Sequence, residues 1–492
     1  MPEVTPDVPP ALAALAATLT ALAITALAVT AAAHAVLTKR DVRAAIGWVG
    51  LIVLFPLVGA LLYVLFGINR IRRRATALRA RRRPGEAAPA ETPRPPTPEE
   101  RGAFGGLGAL AELVGRIVDQ PLVAGNRLEP LVDGDEAYPQ MLAAIEGARR
   151  SVSLSTYIFD SDATGRRFQR ALGAAVGRGV EVRVLIDGVG ARYSFPPARR
   201  ELRRLGVPVA IFLPTLLPWR MPWLNLRTHR KLLVADGRLA FVGGLNIRHE
   251  HVVAGGTRRP VRDLHFRLEG PAVAQLQRLF CADWRFATGE HIAGEAWFPT
   301  VELPEIQPAG EVVARVIPDG PDEDLDKLRW TLLGALAVAR RSVRIVTPYF
   351  LPDPDLVTAL SLAALRGVEV DVVVPAVGNL PFVDWAMAAQ LPQVLERGCR
   401  VWRTPPPFDH SKLMVVDGEW ALVGSFNWDP RSLRLNFELG VELYGAEVAE
   451  RLEALALARR DAGRRLTAEE LAARPLWRRL RDGAVWLAQP YL

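Results

Sequence analysis

Two stretches of this chain carry the same set of reactive side chains. From Thr228 the sequence reads THRKLLVADGRLAFVGGLN, and from Asp409 it reads DHSKLMVVDGEWALVGSFN. Each holds a histidine, then a lysine, an aspartate, a Gly-Gly or Gly-Ser pair and an asparagine at one spacing. These are His229, Lys231, Asp236, Gly243, Gly244 and Asn246, and then His410, Lys412, Asp417, Gly424, Ser425 and Asn427. A neutral imidazole can attack or accept a proton, a protonated one can donate, and an ammonium can hold a developing anion. One His-Lys pair alone would most simply be solvated surface charge. Its repetition argues for a site, and so does lysine usage: the only lysines are Lys39, Lys231, Lys327 and Lys412, in a chain with 61 Lys+Arg. Two of the four occupy the same motif position, where a compact point charge is wanted rather than a planar fork.

The elements that position these groups follow from the pattern. Residues 232–235 and 239–242, and 413–416 and 420–423, read as paired apolar strands joined at Asp236-Gly237 and Asp417-Gly418, a strong hairpin signal. Alternation along a strand puts His and Lys, two apart, on one face. Asp236 and Asp417, though inside the motif, read mainly as turn residues. The repeat extends further. SVSLSTYIF from Ser151 matches SVRIVTPYF from Ser342, helical stretches follow, and then RGVEVRVLI from Arg178 matches RGVEVDVVV from Arg366. Strand, helix, glycine, strand is a βαβ unit. The expected fold is a duplicated α/β domain whose two half-sites meet between the halves.

Composition adds a partner class. A net charge of +8 implies an anionic partner, and half of the residues are hydrophobic. Cys281 and Cys399 are too far apart in sequence to suggest a disulfide scaffold or a zinc site. Residues 10–37 and 44–68 are each long and apolar enough to span hydrocarbon, and the short loop 38–43 makes them a hairpin. The second stretch reads as the surer span, since Ala and Thr make the first only weakly apolar. The arginines of residues 70–83 should keep the C-terminal side of the hairpin cytoplasmic. Residues 84–100, rich in Pro, Ala and Glu, read as a flexible linker. Residues 214–224, with Trp219 and Trp223, and residues 475–492, with Trp477 and Trp486, read as core segments or as membrane-interface edges.

The paired motif resembles the phospholipase D superfamily, and its surroundings resemble the bacterial cardiolipin synthases. Asn225-Leu226-Arg227 before the first His, Asp429-Pro430-Arg431-Ser432 after Asn427, and PLVGALLYVLFGINR from Pro56 carry the likeness. The chain departs from it at Ile247-Arg248-His249-Glu250-His251, at Trp428 in place of Met and at Thr228 in place of Asn. The resemblance implies two phospholipase D-like α/β/α sandwich halves with mixed sheets behind a two-helix transmembrane hairpin. The expected divisions are residues 1–74 for the hairpin, 75–104 for the linker, and 105–304 and 305–492 for the two halves.

A phosphodiester is attacked on one side of phosphorus and releases its alkoxide on the other, so two opposed His-Lys pairs suit it. The catalytic set is then His229, Lys231, Asp236, His410, Lys412 and Asp417, supported by Asn246, Asn427, Asp263, Glu438, Gly244 and Ser425. The lysines, with Asn246 and Asn427, would bind non-bridging oxygens. The resemblance implies His229 as nucleophile, giving a phosphohistidine, and His410 as acid and base. It also implies an acidic residue downstream of each motif: Asp263, in Arg262-Asp263-Leu264-His265, in the first half and Glu438, in Asn436-Phe437-Glu438, in the second. No cofactor or metal is expected. The expected activity is transfer of a phosphatidyl group between two phosphatidylglycerol molecules at a bacterial inner membrane, with release of glycerol. Water as acceptor would make the chain a phospholipase D. A nuclease is a rival within the superfamily, but no aromatic-basic stripe for nucleic acid appears. A non-catalytic lipid-binding protein is the rival outside it, and it would have no use for two His-Lys pairs.

Overall fold

The computed structural model describes residues 10–39, 41–67, 95–97, 104–214, 226–299, 309–322 and 324–489. The arginines of 70–83, nearly all of the expected linker, and the Trp219–Trp223 segment lie outside them. The chain divides into two compact units, Met1–Arg74 and Ala75–Leu492.

In the first unit, helix α1 spans Pro10–Thr38. Its threonines satisfy their hydroxyls internally, Thr18 on the Ala14 carbonyl and Thr25 on that of Ala21. Its Ala14–Thr38 portion is long and apolar enough to cross a membrane. The second apolar stretch is not one helix. Helix α2 (Val42–Leu54) stops at Phe55, and helix α3 (Pro56–Leu62) starts anew. Pro56 lacks an amide hydrogen and disfavours helical geometry at the residue before it, and Phe55 sits at φ −134°, ψ 76°. The expectation that the second stretch would be the surer span is therefore corrected: among the described residues, only α1 has the length. Gly59 lets α3 close against α2, since a Cβ there would lie 2.4 Å from the Leu51 carbonyl oxygen. Tyr63 donates or accepts a 2.7 Å hydrogen bond with His34 Nδ1.

In the second unit the first half contributes strands β1 (Val123–Val132), β2 (Ser151–Thr156), β3 (Glu181–Asp187), β4 (Val209–Phe212), β5 (Arg227–Thr228), β6 (Leu232–Ala235), β7 (Leu239–Gly243), β8 (Val261–Arg262) and β9 (Leu264–Glu269). The second half contributes β10 (Val312–Asp319), β11 (Ser342–Val346), β12 (Glu369–Pro375), β13 (Arg400–Thr404), β14 (Phe408–Asp409), β15 (Leu413–Val416), β16 (Trp420–Gly424), β17 (Asn436–Tyr444) and β18 (Arg464–Leu466). The repeat read from sequence is a repeat of topology. β2–β3–β4 and β11–β12–β13 are parallel runs, and the motif hairpins β6–β7 and β15–β16 join them antiparallel. The sheet is mixed, as expected.

The two halves are one sheet. β1 pairs antiparallel with β10 at its centre, and the strand order reads outward from there through β9, β7, β6, β2, β3, β4 on one side and β17, β16, β15, β11, β12, β13, β18 on the other. The helix Gly108–Ile117 precedes β1, yet it packs against helix Lys327–Val338, and Leu110 and Val114 belong to the core of the second half. The halves are thus interlocked at the chain's first element as well as along the sheet.

Asp236 and Asp417 staple each motif hairpin to its neighbour strand. Each sits at positive φ, 52° and 57°, which aspartate tolerates better than most residues. The Asp236 carboxylate accepts from the amides of Arg149, Arg150 and Ser151, and that of Asp417 from Arg340, Arg341 and Ser342. Asp417→Ala strands these donors and puts alanine in a left-handed conformation. It is expected to lower unfolding stability by about 2–4 kcal/mol, read as a drop in the thermal midpoint of the chain in detergent.

Candidate active site

Each motif histidine is delivered by one half and oriented by the other. β5 pairs parallel with β17, so Arg227 and Thr228 lie beside Asn436 and Phe437. The His229 amide then donates to the Phe437 carbonyl at 2.9 Å. β14 pairs parallel with β8 in the same manner, and the His410 amide donates to the Arg262 carbonyl at 2.7 Å. The next residue on each receiving strand is the acid. His229 Nδ1 lies 2.9 and 3.0 Å from the two Glu438 oxygens. His410 Nδ1 lies 2.8 Å from Asp263 Oδ2. A carboxylate at Nδ1 fixes the proton there and leaves Nε2 for reaction. The imidazoles face each other at right angles, with centroids 6.4 Å apart.

The lysines lie beside their histidines. His229 to Lys231 and His410 to Lys412 fall in the links before β6 and β15 rather than on a strand, so strand alternation is not what places them. Lys231 Nζ donates to the His229 carbonyl at 2.6 Å, and Lys412 Nζ donates to that of His410. Both are almost fully buried. Burial lowers Lys231 to about 7, helped by the Lys412 charge, and lowers Lys412 to about 8, in both cases against the pull of Glu438 and Asp263. Burial also lowers His229, and it lowers His410 further, helped by the charges of Lys412, Lys231 and His229. A phosphodiester anion between these groups would supply a counter-charge that favours the ammonium form of both lysines and the imidazolium form of His410.

The two carboxylates differ. Burial pushes Glu438 upward, but His229, Lys231 and the Ser425 hydroxyl outweigh it and hold the carboxyl below its ordinary value. Ser425 donates at 2.5 Å, Ser432 at 2.8 Å and the Asn436 amide at 3.1 Å. Asp263 has the Leu264 amide besides His410, and burial pushes it up to about 6 despite Lys412. The residues equivalent to one another, Ser425 and Gly244, explain part of this. Ser425 adds a donor, whereas any Cβ at Gly244 would lie 2.1 Å from Asp263 Oδ1, so only glycine leaves the carboxylate room.

Of the remaining expected site residues, Asn246 uses its side-chain oxygen to accept from the Ile158 amide at 3.0 Å. Asn427 Oδ1 is buried without a hydrogen-bond partner. Asp236 and Asp417 face backbone amides rather than the histidines, which corrects their place in the catalytic set and agrees with their reading as turn residues. Ser432 and Asn436 stood inside the recognised strings without a role, and their hydroxyl and amide hold Glu438. Tyr157 and Tyr349 were missed. Their rings flank the histidines, 5.5 Å from His229 and 6.3 Å from His410. Arg230, between His and Lys, is also structural: it donates to the Glu438 carbonyl and forms a buried pair with Asp283 at 2.6 Å. Trp428, one of the departures, is buried beside Phe350, and His249 and His251 bond to Thr164 and to the Val261 carbonyl.

Comparison with known proteins places these features in a family. The family described as cardiolipin synthase, phospholipase D-like domain, matches residues 141–284 and 332–457. The phospholipase D-nuclease N-terminal family matches residues 26–67. The chain is similar to the major cardiolipin synthase of Bacillus subtilis, 31% identical over 459 residues, which are 92% of this chain and 95% of that one. It is 33% identical over 416 residues to the cardiolipin synthase of Geobacillus kaustophilus, covering 85% and 82% of the two chains. The crystal structure of the phosphatidylserine synthase of Haemophilus influenzae shares the fold, with a TM-score of 0.60 at 15% identity, over 78% of this chain and all (100%) of that one.

The buried lysines give a pH signature. Lys231 titrates near 7 in the folded chain and near its ordinary ~10.5 when unfolded. Between those values the unfolded state binds more protons, so this group makes stability rise with pH. Lys231→Met removes that dependence. The variant is expected to be the more stable chain at about pH 7, with an advantage that shrinks by up to about 1.4 kcal/mol per unit toward pH 10. Thermal midpoints of both chains across this range check it, and a pH-independent difference would count against the lowered lysine.

Proposed function

Since the chain belongs to the cardiolipin synthase family of phospholipase D-like proteins, we propose that it is a phosphatidyltransferase joining two phosphatidylglycerol molecules into cardiolipin. The observation that carries this is the facing pair of imidazoles, each with a carboxylate on Nδ1 and a buried ammonium beside it. Nε2 of His229 attacks the phosphorus of the first lipid and forms a phosphatidyl-histidine. His410 gives its proton to the departing glycerol oxygen, and then takes one from the hydroxyl of the second lipid as that oxygen displaces His229. Lys231 and Lys412 hold the non-bridging oxygens, whose charge grows in each transition state.

The asymmetry of the carboxylates supports this division of labour. A covalent adduct leaves a positive imidazolium at the nucleophile, and the strongly ionised Glu438 is the better partner for it. Asp263 is more weakly held as an anion, and it pairs with the histidine that must gain and lose a proton. Water as acceptor would give phosphatidic acid, and exclusion of water from the cleft decides between the two outcomes.

The anchor we assign is the N-terminal unit, in a bacterial inner membrane. We take α1 and the α2–α3 segment as a re-entering pair, the catalytic unit as cytoplasmic, and residues 105–304 and 305–492 as the two halves. Full-length protein given phosphatidylglycerol labelled in its glycerol head group, in mixed micelles, is expected to yield cardiolipin and free glycerol. His229→Ala and His410→Ala are each expected to reduce this by at least about 10³-fold. Phosphatidic acid as the sole lipid product would reassign the acceptor to water.

A further inference from the structure

Several exposed apolar side chains of the catalytic unit lie on loops beside the two histidines. The loop after β3 carries Tyr193 and Phe195, 61% and 96% exposed. The loop after β12, its equivalent in the other half, carries Val377 and Leu380 and leads into helix Pro381–Gln390, where Phe382 is also exposed. Both loops lie close to the histidines. The Tyr193 ring is 6.3 Å from that of Tyr157, which touches His229. The Tyr349 hydroxyl donates to Asn379 Oδ1 at 2.6 Å, and the Tyr349 ring flanks His410.

Helix Leu476–Trp486 enlarges the second lip. Its inner side is fixed to the body. Asp482 is fully buried between Arg474 and Arg481, and Trp486 Nε1 donates to Gln390 at the end of helix Pro381–Gln390. Its outer side carries Leu476, Trp477 and Leu480, 68%, 59% and 65% exposed. Arg478 and Arg479 are exposed beside them, and the Arg478 guanidinium lies 5.2 Å from the Trp477 ring centre. Across the cleft, Arg199 and Arg200 are exposed a few residues from Phe195.

Contiguous leucine and tryptophan on a solvated surface is unfavourable unless something covers it. Tryptophan prefers the lipid–water boundary, and arginines next to it suit phosphate head groups. The helix offers both on one side, and it packs on helix Pro381–Gln390, which follows the loop whose Asn379 bonds Tyr349 beside His410. We propose that this rim docks the catalytic unit on an anionic phospholipid bilayer. Leu476, Trp477, Leu480 and Phe382 sit below the head groups, Arg478 and Arg479 sit among the phosphates, and Phe195 forms the opposite lip. The cleft then opens on the bilayer, and a lipid can reach His229 and His410 while its acyl chains stay in hydrocarbon. This inference rests on the phospholipid reading for its purpose, but its test does not.

The test uses the full chain reconstituted in phosphatidylglycerol vesicles whose acyl chains carry bromine, a contact quencher of tryptophan. The wild-type chain is expected to lose a larger fraction of its emission than Trp477→Phe, because Trp477 lies against the acyl chains whatever the N-terminal unit does. Equal fractional quenching in the two would overturn the proposal. In a second arm, the double variant Leu476→Glu, Leu480→Glu is compared with wild type on vesicle lipid and on dispersed short-chain phosphatidylglycerol. The ratio of vesicle to dispersed turnover is expected to fall about tenfold, and an unchanged ratio would contradict docking by this helix. Stronger Trp477 quenching in a wild-type chain that turns over neither lipid would refute the transferase reading and leave the docking surface standing.

Discussion

The pairing of two short parallel strands across the halves is the constraint on which the site depends. β5 against β17 and β14 against β8 are each only two residues long. Each brings a histidine amide onto the other half's backbone, one residue before the acid that its side chain needs. The distances follow: 2.9 Å from His229 to Glu438 and 2.8 Å from His410 to Asp263. Neither half holds a complete site. A half folded alone would bury a carboxylate with no imidazole, and a buried unpaired charge is among the costliest defects a core can carry. The continuous sheet through β1 and β10 and the helix Gly108–Ile117 set in the second half's core hold the halves together firmly enough for two-residue pairings to persist.

Duplication gives two similar pairs, but the reaction needs two different roles. The difference enters through small substitutions around the acids rather than through the histidines. Ser425, Ser432 and Asn436 converge on Glu438 and keep it ionised in a buried place, while Asp263 is packed against a bare Gly244 and titrates near 6. In the proposed mechanism one imidazole carries a lasting positive charge and the other a transient one, and the two acids suit those roles. The buried lysines couple the pairs, since both ammonium groups depress both histidines and Lys412 also depresses Lys231. In the proposed mechanism an anionic substrate would favour the charged form of both lysines and of His410, while His229 stays neutral at Nε2 to attack.

Much of this was legible before any coordinates. His229, Lys231, His410 and Lys412 follow from the repeat and from the scarcity of lysine, and the hairpins β6–β7 and β15–β16 follow from Asp-Gly turns between apolar runs. Asp263 and Glu438 were found as acids downstream of each motif. Their exchange between halves was not legible, because a repeat aligns each acid with its own histidine and carries no information on how the halves face. Ser432 and Asn436 lay in recognised strings, but hydrogen-bonding to a carboxylate depends on where strand β17 starts. The reading of residues 44–68 as one span failed at Pro56, where local backbone chemistry overrode hydropathy. The C-terminal tryptophans could be read either way until the helix showed Trp486 turned inward and Trp477 outward.

The central claim is that His229, held by a carboxylate from the opposite half, is the nucleophile. The direct measurement is to locate the covalent adduct. A phosphodiester with a p-nitrophenolate leaving group needs little protonation, so His410→Ala should still be phosphorylated by it and then fail to turn over. Acid quenching would destroy the phosphoramidate, and alkaline quenching preserves it for peptide mass spectrometry. The account predicts the added mass on the peptide containing His229, absent when Glu438→Gln is combined with His410→Ala. An adduct on another side chain, or one formed equally well without Glu438, would contradict it.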